Sequence, residues 1–233
     1  DTVYVLGGNV KRGYWNASND SIVLKTPISL DDESLIGGSY QPMIKFNNEE
    51  YINFGSEIPI INIPESGYEY LKIFRDVLVS AEGYAENSNA QFTTKIIDKA
   101  GNETLGSSDG TIMHIDEILP ILNSINIVSN NILSESWATV SDTISLSIAS
   151  SEGLDVVTMI MVNDTMPANG SQNGTSQIAQ YIVDSSDPEG LVIFDIAYSD
   201  TAGNEGINIS ETTDGTVVGI DNSNPSINNI LEG

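Results

Sequence analysis

Apolar and polar positions alternate with period two along much of the chain. Ile144, Leu146 and Ile148 are separated by Ser145, Ser147 and Ala149, the pattern of a strand with one buried face. Phe194, Ile196 and Tyr198 share one face of another such run, and Phe92-Thr-Thr-Lys-Ile-Ile opens a similar one. Val156–Val162 is almost continuously apolar and rich in β-branched residues, which suits a strand buried on both faces. Ile178–Val183 and Leu191–Tyr198 flank Asp184–Gly190, where Pro188 and Gly190 favour a turn. The polar run Asn163–Ser176, holding Pro167, Gly170 and Gly174, is expected to be a surface loop. Only Tyr68–Val79 is ambiguous: Leu71, Phe74 and Leu78 keep helical spacing, while Tyr68-Glu69-Tyr70 alternates. The prediction is an all-β chain of short strands separated by Gly, Asn, Asp and Ser turns, about seven strands to a sandwich.

The pattern is written twice. Trp15-x4-Asp20-Ser-Ile-x-Leu24 returns as Trp137-x4-Asp142-Thr-Ile-x-Leu146, Phe92-x5-Asp98-x-Ala-Gly-Asn-Glu103 as Phe194-x5-Asp200-x-Ala-Gly-Asn-Glu205, and Asp109-Gly-Thr-x3-Ile-Asp116-x3-Pro120 as Asp214-Gly-Thr-x3-Ile-Asp221-x3-Pro225. The offsets are 122, 102 and 105 residues, so one module of roughly 100 residues has been duplicated. The expected domains are 1–119 and 120–225, with 226–233 opening a further repeat of a longer protein. The first module holds about twenty extra residues within Asp31–Asn89, where an enlarged loop or an extra hairpin is expected.

The order Asp-x-Ala-Gly-Asn, Thr-Asp-Gly-Thr and Ile-Asp-x-x-x-Pro resembles the prokaryotic Ig-like repeats of large cell-surface proteins, of adhesin or surface-layer (S-layer) type. The likeness covers nearly all of the second module and about half of the first, which departs from it between Asp31 and Gln91. It implies two tandem Ig-like β-sandwich domains, export, and a stalk, adhesive or cell-envelope role. It implies no particular ligand, because this fold serves many functions.

Composition narrows the partners. The chain has 33 acidic and 8 basic residues, a net charge of −25, and no Lys or Arg after Lys99. Nucleic-acid binding needs cations to displace condensed counterions, and the same field repels an anionic membrane surface. Neither nucleic acid nor direct membrane contact is expected. Cysteine is absent, which removes disulfides, thiolate chemistry and Cys-based zinc sites. No apolar run approaches the length that spans a bilayer.

The strongest candidate chemistry lies in the acidic turns. Asp98, Asn102 and Glu103, and their counterparts Asp200, Asn204 and Glu205, set oxygens around a tight Ala-Gly corner. The linker residues Asp116 and Asp221 stand ready to complete a site, and calcium takes six to eight such hard oxygens. Asp184, Asp187 and Glu189 form another acidic turn, suited at most to a weak calcium site. Against this, Asp-x-Ala-Gly-Asn is equally a turn chosen for its backbone geometry. Trp15 and Trp137 precede a strand at the same place in each module and are expected to pack. His114 is the only histidine and lacks the partners that a zinc site or an acid–base pair needs. No nucleophile elbow, metalloprotease helix or phosphate loop is present, so an enzyme is not expected.

A non-catalytic structural or adhesive module of a large extracellular protein is therefore expected, stiffened by structural calcium. Its partners would be neighbouring repeats of the same chain, copies of itself in a lattice, or a surface receptor or glycan. The alternative is a carbohydrate- or receptor-binding module using Tyr40, Tyr51, Phe54, Tyr68 and Tyr70, which cluster in the enlarged region. A further alternative is an accessory domain of a secreted enzyme. Among seven Asn-x-Ser/Thr sequons, the pair Asn169 and Asn173 is the expected target if exported proteins are glycosylated.

Overall fold

Alternation at every second residue leaves each strand with one apolar face, and two such faces must be pressed together to leave water. The computed structural model describes residues 2–161 and 168–227. The chain divides into two units, Asp1–Ile118 with Ala202–Asn204, and Leu119–Thr201 with Glu205–Gly233.

The first unit contains β1 (Thr2–Leu6), β2 (Tyr14–Trp15), β3 (Ser21–Pro27), β4 (Ser39–Phe46), β5 (Ile52–Asn53), β6 (Ile58–Pro59), β7 (Tyr68–Phe74), α1 (Arg75–Val79), β8 (Asn89–Ile97), β9 (Glu103–Leu105) and β10 (Met113–Ile115). One sheet runs β1-β3-β7. The other runs β2-β10-β8-β4-β5, with β6 added to β4 and β9 to β8. Ile22 and Leu24 from β3 and Leu71 and Ile73 from β7 meet Ile44, Phe46 and Phe92 from the second sheet in one core. The enlarged middle region supplies β5, β6 and α1, and it extends this core: Phe54, Ile60 and Leu78 are buried in the same cluster. The ambiguous stretch resolves into both elements. Tyr68–Phe74 is a strand, and the chain turns helical only at Arg75, for five residues.

The second unit contains β11 (Leu122–Ser129), β12 (Trp137–Ala138), β13 (Thr143–Ser150), β14 (Leu154–Met161), β15 (Ala168–Asn173), β16 (Ser176–Ile182), β17 (Gly190–Leu191), β18 (Phe194–Asp200) and β19 (Gly219–Ile220). Its sheets are β11-β13-β16-β15, β12-β19-β17 and β14-β18. Ile125, Ile127, Ile144, Leu146 and Ile196 fill its own core. Both units are therefore β-sandwiches, and the predicted all-β class holds.

Two local expectations need correction. β14 pairs only with β18 among the described strands and leaves Val156 exposed, so it is not buried on both faces; Val162 lies outside the described residues. The polar run Asn163–Ser176 is not all loop. Ala168–Asn173 pairs with β16 across a Gly174-Thr175 turn, because a tight two-residue turn lets a polar edge strand complete its backbone bonds; residues 163–167 lie outside the described part. Asp184–Gly190 turns as expected, the Asp187 N–H donating to the Asp184 carbonyl at 3.1 Å, and it carries the chain from one sheet to another, since β16 pairs with β13 and β18 with β14.

The duplicated tryptophans also part company. In the first unit Trp15 pairs with Ile115, whereas in the second Trp137 pairs with Gly219, the residue before Ile220. The short strand has slipped by one residue between the copies, and with period two a one-residue slip reverses every side chain. Trp15 is fully buried, while Trp137 is 50% exposed and Ala138 takes the inward place. The turn that follows shifts in step. Asn16 N–H donates to Asn19 Oδ1 at 2.8 Å in the first unit, and Thr139 N–H donates to Asp142 Oδ2 at 2.8 Å in the second.

Candidate functional site

The acidic turns are held by their own backbone. Asp98 Oδ1 accepts from the N–H groups of Ala100 and Asn102, both at 2.8 Å, and Oδ2 accepts from the Asn102 side-chain amide at 2.8 Å. These bonds, the Asn102 side chain first, hold the Asp98 carboxyl below its ordinary range. Glu103 pairs with Lys95 at 3.2 Å on the neighbouring strand. The first-copy motif is thus a closed turn in which Gly101 takes a positive φ of 86°.

The second-copy residues have different surroundings. Asp200 ends β18 and is fully buried, and its carboxylate lies within 4.8 Å of that of Glu152. Asn204, which falls in the first unit, accepts the Ala17 N–H at 2.8 Å and donates its amide to the Asp116 carbonyl at 2.9 Å. Asp116 in turn donates its N–H to the Trp15 carbonyl. Glu205 is exposed and bridges Ser199 through backbone.

Asp184, Asp187 and Glu189 also serve local structure. Asp184 Oδ1 accepts from the Ser186 N–H at 2.9 Å and from its hydroxyl at 2.8 Å, and these bonds lower its pKa. Asp187 is buried; one oxygen accepts the Tyr181 hydroxyl at 2.7 Å and the other the Asp184 N–H at 2.7 Å. Burial first, and the bond to Asp187 next, push the Tyr181 hydroxyl up to about 12. Glu189 accepts the Ser223 hydroxyl, and Asp221 accepts the Ser223 N–H at 3.0 Å.

Sequence reasoning missed a linker clamp in the first unit. Glu117 Oε1 accepts from the Trp15 indole N–H at 3.0 Å and from the Arg75 guanidinium. Arg75 also donates to the carbonyls of Asn16, at 3.2 Å, and Asn19, at 2.8 Å. One cation on α1 therefore ties the turn after β2 to the residues that follow β10. A lone Arg just after an alternating strand, with an acid beside the Ile-Asp linker, was the available signal.

The aromatic cluster of the enlarged region does not come together as a surface. Tyr40 and Phe54 are core residues: Tyr40 stands on β4, and Phe54 follows β5 with its N–H donating to the Pro42 carbonyl of β4 at 3.0 Å. Tyr51 is partly buried with Lys45 over its ring at 5.0 Å. Tyr68 and Tyr70 are exposed, but they stand on β7, an element that β16 matches in the second unit. They are not part of the insertion. Asn169 and Asn173 lie on β15, opposite Ala179 and Ser176. His114 stacks at a tilt on Tyr14, with centroids 5.4 Å apart. The second unit has a groove of about 510 Å³ lined by Ile160, Leu191, Ile193, Phe194 and Ile220, with Glu189 and Asp195 also in its wall. No helix among the described residues is long and apolar enough to cross a membrane.

No known family model matches the sequence, and no curated protein matches it. Among solved structures, the chain is similar to the fibronectin(III)-like modules of Clostridium thermocellum CbhA, with 11% identity over 95% of this chain and 94% of that one and a TM-score of 0.39. It is also similar to the FN1–FN3 domains of chicken CNTN1, with 12% identity over 90% of this chain and 66% of that one and a TM-score of 0.39. Likenesses this distant carry no argument about function.

Proposed function

We propose that the chain is a non-catalytic structural element, two tandem Ig-like sandwiches forming part of the stalk or surface layer of a large extracellular protein. The observation that supports this most is what the duplication keeps. Core positions such as Ile22 and Leu24 recur as Ile144 and Leu146, buried in both units, while the repeated acids build turns. Asp98, Asp109, Asp214 and Asp221 each accept a neighbouring backbone N–H. A scaffold conserved through duplication, with its polar motifs devoted to turns, suits a spacer.

Calcium belongs to the same proposal as a stiffening ligand of the acidic turns and linkers. Carboxylates as close as those of Glu152 and Asp200, in a chain of net charge −25, favour a divalent cation. The test is a thermal melt in millimolar calcium and again in excess chelator. Calcium is supported if chelation lowers the melting temperature by several degrees. An unchanged melt removes calcium and leaves the carboxylates as turn builders. The structural role is tested separately, by antibody labelling of the intact host cell. Labelling at the surface supports the role, and confinement to the cell interior overturns it.

A further inference from the structure

The duplication supplies an internal control for the outer faces of the sheets. In the second unit the outward positions of β13 are Thr143, Ser145, Ser147 and Ala149, facing Ile182, Gln180, Ile178 and Ser176 on β16. That face is mostly small and polar, and it is uncharged. In the first unit the matching sheet, β1-β3-β7, differs throughout. β7 turns outward Tyr68, Tyr70, Lys72 and Phe74, all exposed. β3 adds Val23 and Lys25, and β1 adds Tyr4 and Leu6. The only acid in these three strands is Glu69, which alternates to the other side. Both faces are free of acids in a chain that has 33, but only the first-unit face carries lysines and four aromatic rings, where the β13 and β16 face of the second unit has neither.

We propose that this face is a binding platform for an acidic polysaccharide of low charge density. Tyr68, Tyr70 and Phe74 share the outward side of one strand, with Lys72 between Tyr70 and Phe74, so with a rise of about 3.4 Å per residue they span roughly 20 Å. That is a row of rings against which several sugar units can lie flat. The ammonium groups are already in place beside them. Lys25 Nζ lies 4.0 Å from the Tyr68 ring centre, and Lys72 Nζ lies 4.9 Å from that of Phe74. In each pair the ammonium covers one side of the ring, which leaves the opposite side and the Tyr70 ring for a sugar and the cation for a carboxylate. Two cations match a sparsely charged chain.

Other partners fit less well. Protein interfaces are depleted in lysine at their centre, whereas Lys25 occupies the middle strand of this sheet. A nucleic acid brings a charge at every phosphate and would meet the field of a −25 chain with only two local cations. A neutral glycan gives no reason for a face with lysine and no acid.

The experiment is affinity electrophoresis of the whole chain in gels containing hyaluronate, in parallel with its carboxyl-reduced derivative and a single-stranded oligonucleotide. Two variants are run beside it, Tyr68→Thr with Tyr70→Thr, which retains strand propensity, and Lys25→Gln with Lys72→Gln. Their circular dichroism and melting temperatures establish that they fold. The expected result is retardation by hyaluronate, weakened at least fivefold in each variant and with the neutral polymer, and reduced by 0.5 M salt. Absence of retardation, equal binding of the neutral polymer, tighter binding of the oligonucleotide, or binding unchanged in both variants each overturns the proposal. If the tyrosine variant does not fold, the lysine variant and the neutral polymer still decide.

Discussion

An aspartate two residues before a free N–H closes a turn by accepting from it, and this chain uses that device repeatedly. Asp214 is the most loaded example. Its oxygens accept from the Asn126 side-chain amide at 2.8 Å and from the Thr216 N–H at 3.0 Å and hydroxyl at 2.7 Å. The Asn126 bond, followed by those from Thr216, brings its pKa down to about 2. The folded value lies below the ordinary aspartate value of about 3.9. The stabilisation is therefore complete above about pH 4 and is lost as the pH falls towards 2. Asn126→Ala should return the Asp214 titration midpoint towards the ordinary value, read from its carboxyl carbon shift. A midpoint unmoved by the substitution would show that Asn126 is not its main partner. The Asp109 turn repeats the Thr bond, Asp109 Oδ1 accepting from the Thr111 N–H at 2.8 Å, so the repeated Asp-Gly-Thr signature records a turn that both copies need.

At the scale of elements, one short strand shows how little sequence separates two outcomes. Both copies read Trp-x4-Asp before the same apolar strand, yet Trp15 enters the core and Trp137 lies over Gly219 outside it. A side chain at Gly219 would come within 2.7 Å of the Trp137 ring. Trp15→Ala should cost about 3–5 kcal/mol, the range for emptying a buried aromatic site, and it also frees the Glu117 carboxylate from its indole bond. Trp137→Ala should cost about 1 kcal/mol, since half of that ring is already in water. Urea denaturation followed by circular dichroism compares them, and equal losses would refute the slip. The long strands were legible in advance because Ile144, Leu146 and Ile148 can satisfy period two in only one way. The slip was not, because it depends on whether Asn19 or the residue one step later, as in Asp142, closes the turn. The aromatic region misled for a related reason. Tyr40 and Phe54 lie amid polar residues in sequence, and only the pairing of β4 with β8 and β5 shows that they face inward. Of the candidate site, the acidic turns were visible as motifs, but their hydrogen-bond partners were not. The Arg75–Glu117 clamp joins residues 42 apart, a pairing that spacing alone does not suggest.

For the whole molecule the governing quantity is charge, and it is divided unevenly. All eight basic residues belong to the first unit, and the second carries fifteen acids with none. Like charges on a compact body repel and favour expansion, and salt screens them with a Debye length near 10 Å at 0.1 M. Raising sodium chloride from about 10 mM to 0.5 M, which shortens the Debye length from about 30 Å to about 4 Å, should therefore raise the melting temperature of the second unit more than that of the first. The tryptophans make this measurable unit by unit: Trp137→Phe leaves Trp15 to report the first, and Trp15→Phe leaves Trp137 to report the second. Equal shifts would mean that repulsion within the lysine-free unit is already relieved by its hydrogen-bonded turns. The same two reporters separate screening from specific binding. Millimolar calcium adds little ionic strength, so a calcium shift larger than that of sodium chloride at matched ionic strength requires a bound ion, and a shift confined to the Trp137 reporter places that ion with the acids of the second unit.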